Sequence, residues 1–82
     1  MRKIEMDMCE ALETGKTYRN ANTEVDRDGR VWLYGTCIAR YSIGVLQLRK
    51  TGYDYCGSVT TRSRLRALSQ WANNKDIEII EV

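Results

Sequence analysis

The chain has no histidine, no proline and only three cysteines among its 82 residues. Each shortage removes a class of function. Without histidine, an acid–base pair or a nucleophile–base triad would need Asp, Glu, Cys or Lys in an unusual setting. Cys9, Cys37 and Cys56 are odd in number and far apart, with no Cys-x-x-Cys pair. Reduced thiols are therefore expected, with no zinc and no disulfide framework. Cys9 falls in an acidic helix, Cys37 in a central strand and Cys56 in a loop, and none has neighbours that would activate a thiolate, so filler is the simplest reading. No Gly-x-x-x-x-Gly-Lys loop, dinucleotide fingerprint or pair of metal-binding carboxylates occurs. An enzyme and a bound cofactor are both unexpected. No apolar run approaches the roughly 20 residues of a membrane span. The opening MRKIEMDMCE is too acidic and too broken for a secretory signal. A soluble cytoplasmic protein with no membrane partner is expected.

The 82 residues make one domain, 1–82, near the size at which a single core is marginally stable. The net charge of +2 is uneven: residues 1–13 and 68–82 each carry −2, whereas 14–67 carry +6. A basic middle can mark a nucleic-acid footprint or an acidic protein partner, although an ordinary solvated surface is the commoner cause.

Ile4, Met8, Ala11 and Leu12 recur at helical spacing, with Glu5, Glu10 and Glu13 elsewhere on the wheel, so residues 2–14 read as an amphipathic helix capped by Gly15. KTYRNANTEV loses that period and suits an irregular connection. With no proline, turns fall to Gly, Asn and Asp, and VDRDGRVW carries a hairpin signal at its Asp-Gly. Strands are expected at about 23–27 and 30–40. The second, RVWLYGTCIAR, is free of charge between Arg30 and Arg40 and should be central. Its faces would be Val31, Leu33, Gly35, Cys37 and Ala39 against Trp32, Tyr34, Thr36 and Ile38. GVLQLRK makes a third strand, with Leu46 and Leu48 on one side and Gln47 and Arg49 on the other. TGYDYCG is a loop, Thr60 or Thr61 caps a second helix that ends at Asn73 and Asn74, and DIEIIEV closes the chain as a strand. The fold class is α+β in the order α-β-β-β-α-β: an antiparallel sheet of three to four strands with two helices packed on one face.

The stretch SVTTRSRLRALSQW sets three arginines at the start of the second helix. A helix opening already carries partial positive charge, so arginines there are unfavourable unless an anion meets them. Arg62 and Arg66 share one flank of the wheel and Arg64 lies on the other beside Trp71. The three therefore straddle the apolar face formed by Leu65, Leu68 and Ala72. As a phosphate site they would be joined by Arg49 and Lys50. The α-β-β-β-α order is similar to that of double-stranded RNA-binding domains, where basic residues at that helix start meet phosphates. This chain lacks a lysine cluster there and adds a C-terminal strand. Trp32, Tyr34, Tyr41, Tyr53, Tyr55 and Trp71 are too many for so small a core to bury them all, and Tyr53 and Tyr55 in a glycine-flanked loop are the best placed for a protein partner.

NANTEVDRDGRVWLYGTCIARY, TTRSRLRAL and the opening MRKIE resemble a set of small accessory proteins of T7-like tailed bacteriophages, over roughly residues 1–70. The resemblance implies a phage protein that binds a host macromolecule and inhibits a host defence or nucleic-acid-processing complex. It also implies that Thr60, Thr61, Ser63 and Arg64 form a helix cap with a structural arginine. The expected partner is a host protein or protein–nucleic acid complex, with direct binding of double-stranded nucleic acid through the basic helix start as the alternative. Monomer and homodimer both remain open. The candidate binding residues are Arg49, Lys50, Tyr53, Tyr55, Arg62, Arg64 and Arg66.

Overall fold

A computed structural model of the chain describes residues 2–49 and 59–82. Helix α1 (Lys3–Thr14) leads into strands β1 (Tyr18–Asn20), β2 (Thr23–Val25), β3 (Arg30–Leu33), β4 (Thr36–Ser42) and β5 (Val45–Leu48). Helix α2 (Val59–Asn74) and strand β6 (Glu78–Glu81) follow. The fold is α+β, as expected, but the sheet has six strands, in the order β1-β2-β3-β4-β5-β6. The first five form an antiparallel meander, and β6 adds parallel to the outside of β5.

Two strands were hidden by turn chemistry. What reads as one strand over 30–40 is a hairpin: Tyr34 and Gly35 both take positive φ, 52° and 78°, and fold β4 back onto β3. Two successive positive φ values make the tight primed turn that matches strand twist. A Tyr-Gly pair inside an apolar, β-rich run gives little warning of it. Similarly, Asn20 and Thr23 pair across Ala21 and Asn22, which makes β1 out of the expected irregular connection.

The Asp-Gly signal between β2 and β3 is borne out in detail. The Asp26 N–H donates to the Arg30 carbonyl, enclosing Arg27, Asp28 and Gly29, with Gly29 at φ 80°. This is a three-residue hairpin loop that ends on a left-handed residue. Asp26 Oδ1 accepts the N–H groups of Asp28 and Arg30, and Oδ2 accepts the Trp32 indole N–H at 3.0 Å. One carboxylate thus fixes both the turn and a ring on the sheet. Burial works against its ionised form. The indole and backbone donors and the Arg30 charge outweigh that and hold the Asp26 carboxyl below its ordinary range.

Both helices cover one face of the sheet. Val31, Leu33, Ala39, Leu46 and Leu48 point into the core, against Met8 and Leu12 of α1 and Leu68 and Ala72 of α2. Leu46, Leu48 and Gln47 keep the expected alternation. Strand β4 does not, because the register shifts between Val31 and Trp32 and leaves Ile38 as an extra residue. Ile38 and Ala39 are both buried, and Cys37 is paired with Trp32 on the opposite face. A bulge of this kind reverses the facing of every residue on one side of it, which a strict period of two cannot anticipate.

The helices run parallel in constant register. Glu5 meets Ser63, Cys9 meets Ala67 and Glu13 meets Trp71, each pair 58 residues apart. Residues four apart on each helix share a face, so one stripe of α1 meets one stripe of α2. The small Cys9 and Ala67 at the middle of this contact allow close approach, and the Trp71 ring packs edge-on against Tyr41 with centroids 5.2 Å apart. Gly15 closes α1 in the left-handed conformation, as its position suggested. Thr60 and Thr61 do not cap α2: they lie within its first turn, and Thr61 is buried.

The β4–β5 turn carries strain. Ile43 holds φ 48° ahead of Gly44 and its side chain is 97 % exposed. A β-branched residue is disfavoured in this left-handed region, and here no packing compensates it. Ile43→Asn should therefore stabilise the protein by about 1 kcal/mol, since Asn-Gly is the favoured pair for such a turn. A rise in the urea midpoint at unchanged slope would show this, and an unchanged or lower midpoint would mean that the turn relaxes around isoleucine.

Candidate functional site

The structure disperses the candidate residues. Arg62 and Arg66 are exposed on α2, as a contact surface requires. Arg64 is not. Its guanidinium is buried between the helices, 2.7 Å from the Glu5 carboxylate, with the two side chains 5 % and 4 % exposed. Its Nε donates to the Thr23 hydroxyl at 3.1 Å, and Thr23 in turn donates to the Asn22 side chain. The triple-arginine phosphate site therefore loses its middle member, because Arg64 already has an anion from within the chain. Arg49 is exposed at the end of β5, and its guanidinium donates to the Cys37 carbonyl at 3.4 Å. Lys50, Tyr53 and Tyr55 fall in 50–58, outside the described residues.

Glu5 answers the question posed by arginines at a helix start. It stands in the first turn of α1, accepts the Arg2 backbone N–H, and also takes the Ser63 hydroxyl and the Arg64 guanidinium. Because the helices are parallel, their N-termini lie side by side, and one carboxylate serves both. Burial alone would raise the Glu5 pKa. The donors from Ser63, Arg2 and Arg64, with the Arg64 charge, outweigh it and lower it from the ordinary 4.5. Glu5 and Arg64 therefore form a buried ionic link between the helices. The helical wheel set Glu5 with Glu10 and Glu13, away from the apolar face of Ile4, Met8, Ala11 and Leu12. The available signal was its place four residues before Cys9 and eight before Glu13 on one stripe, opposite an arginine-rich helix.

The Cys9 thiol is buried, and burial, reinforced by the nearby Glu5 and Glu13 charges, pushes its pKa up to about 12. Among the described residues no group of three His, Cys, Asp or Glu side chains is placed to hold a metal ion. No helix among them is long and apolar enough to cross a membrane.

The basic middle of the chain instead collects on the face of the sheet that neither helix covers. Arg19, Glu24, Trp32 and Cys37 form one cross-strand row there, and Arg30, Arg40, Gln47 and Ile80 form the next. Arg30 and Arg40 are direct cross-strand partners. Like charges in that position repel. Arg30 is drawn toward Asp26 and Asp28 at 3.9 and 3.7 Å, whereas Arg40 and Arg19 are exposed with no ion-pair partner among the described residues. Trp32 lies half-buried between these charges, its ring drawn along the sheet by the bond to Asp26, and Tyr34 stands 68 % exposed at the adjoining turn. Trp32 and the arginines of this face were visible in the sequence as types. Their assembly was not, because it required the split of the 30–40 segment and the bulge at Ile38.

Fold and site together define a small α+β domain with one sheet face sealed by a parallel helix pair and the other open among the described residues, basic and aromatic. The chain belongs to the Kyanoviridae Gp96 protein family, a phage protein family whose model matches residues 1–81. This supports the phage origin that the resemblance implied, without the narrower T7-like placement. No curated protein and no solved structure matches the chain.

Proposed function

We propose that this phage protein is a non-enzymatic accessory factor that binds a host macromolecule through the open face of its sheet, and thereby blocks a host defence or nucleic-acid-processing complex. The observation that carries this reading is the Arg30–Arg40 pair, opposed across β3 and β4 on a face that no element among the described residues covers. Two repelling charges beside an ordered indole cost stability in the free protein and are relieved when an acidic surface meets them. Arg62 and Arg66 remain exposed on α2, but with Arg64 engaged by Glu5 they offer a smaller anion surface than the sheet does.

The test is affinity capture from host lysate, with and without nuclease, comparing the native chain with Arg40→Glu and with an Arg62→Ala/Arg66→Ala variant. The expected result is a specific partner retained by the native chain and by the α2 variant and lost with Arg40→Glu. Retention by Arg40→Glu together with loss in the α2 variant would move the contact to the helix start and overturn the proposal.

A further inference from the structure

We infer that the open face is a platform for single-stranded nucleic acid, with Trp32 as the ring on which a base stacks and Arg30 and Arg40 as contacts for its backbone phosphates. This inference rests on the reading of the open face as the contact surface and names the chemistry of what it meets.

Three features point the same way. The first is charge: Arg19, Arg30 and Arg40 belong to this face and outnumber Glu24 there, Arg30 is drawn toward Asp26 and Asp28, and Arg19 and Arg40 have no ion-pair partner among the described residues. Adjacent strands lie about 4.8 Å apart, so Arg30 and Arg40 present two guanidinium groups within reach of one phosphate or two successive ones. The second is the ring. The bond from the Trp32 indole N–H to Asp26 holds its orientation before any ligand arrives, so little rotamer freedom is lost on stacking. The third is the placement of Arg49, whose guanidinium sits on the carbonyl of Cys37, the cross-strand partner of Trp32. Positive charge thus borders the ring on its β4 side, while Glu24 is its neighbour on the β2 side. A duplex hides its base faces in its own stack. A single strand offers both an unstacked base for the ring and a flexible backbone for the arginines.

The experiment is fluorescence anisotropy of a labelled oligothymidylate of about 12 nucleotides, within the site size of single-strand binders, and of the matching duplex, across a salt series. The single strand should bind more tightly than the duplex, with log affinity falling against log salt at a slope of about −1.4 to −3, as expected for two to four phosphate contacts. Trp32→Ala should weaken binding about tenfold or more, while Trp32→Phe keeps most of it. Arg40→Ala should make the slope shallower by about 0.7. Where loss of the Asp26 bond unfolds Trp32→Ala, Arg40→Glu carries the test, because the Arg40 side chain has no ion-pair partner among the described residues and a glutamate opposite Arg30 relieves the repulsion; it should abolish binding at a melting temperature no lower than that of the native chain. Equal binding by Arg40→Glu and the native chain overturns the inference, as does tighter binding of the duplex. If the oligonucleotide does not bind but Arg40→Glu still loses a nuclease-resistant protein partner from lysate, the open face is the contact surface and its ligand is a protein. In that case this inference falls and the proposed function stands.

Discussion

Glu5→Leu should destabilise the fold by about 3 to 5 kcal/mol, because it strands the buried Arg64 guanidinium without its carboxylate. Arg64→Met should cost a similar amount by stranding Glu5. For a domain of this size either loss is a large share of a total stability of about 5 to 15 kcal/mol. The double variant Glu5→Leu/Arg64→Met should recover most of the loss, because it removes both charges together and fills their space with apolar atoms. Thr23 would keep its bond to Asn22, and Ser63, being half-buried, can turn to water. Urea unfolding of the four proteins measures the coupling directly. Additive single-variant effects would show that the pair is not an energetic unit.

The same pair sets the acid limb of stability. The Glu5 pKa is lowered in the folded protein, so the unfolded chain binds more protons as pH drops past the ordinary value of 4.5. The stabilisation is complete above that value and is lost as pH falls from it through the folded pKa. Asp26 is lowered as well and contributes in the same direction. The native protein should therefore lose melting temperature below about pH 4.5, and the double variant should lose less of it over the same window.

Gly29→Ala should be nearly as damaging, at about 3 kcal/mol or more. Gly29 holds φ 80°, and a Cβ there would stand 2.2 Å from the Tyr41 carbonyl oxygen. The Gly29 carbonyl also accepts the Tyr41 N–H at 2.8 Å, so the two backbones cannot separate without breaking that bond. Left-handed strain alone costs about 1 to 3 kcal/mol, and the obstruction is main chain rather than a side chain that could swing away. Tyr41 packs on Trp71, so the displacement would reach the helix pair. Thermal unfolding with near-ultraviolet circular dichroism reads both effects. An unchanged melting temperature would mean that the loop adopts another turn.

Much of this architecture is legible in the residues. The helical period of α1, its Gly15 cap, the Asp-Gly hairpin, the alternation of Leu46, Gln47 and Leu48, and the terminal strand are local properties, each decided by a few neighbours. Read as a phosphate site, the helix start misled as to Arg64, whereas the structural arginine that the resemblance implied is what Arg64 is. Its wheel position marks a flank of α2, and what buries that flank is the parallel α1, which no local pattern reports. Consequently α2 turns a line through Thr61, Arg64, Leu68 and Trp71 inward and leaves Leu65 only half-buried.

The sequence by itself determined an α+β domain without histidine, with a basic middle and two amphipathic helices, because composition and periodicity act over a few residues. Only the tertiary structure decided which charges are spent inside the fold and which face outward. The register that joins Glu5 to Ser63 and Arg64, and the bulge that sets Trp32 and Arg40 on the open face, depend on contacts between residues far apart in the chain. At that range one extra residue in a strand or one stripe of a helix changes what is buried.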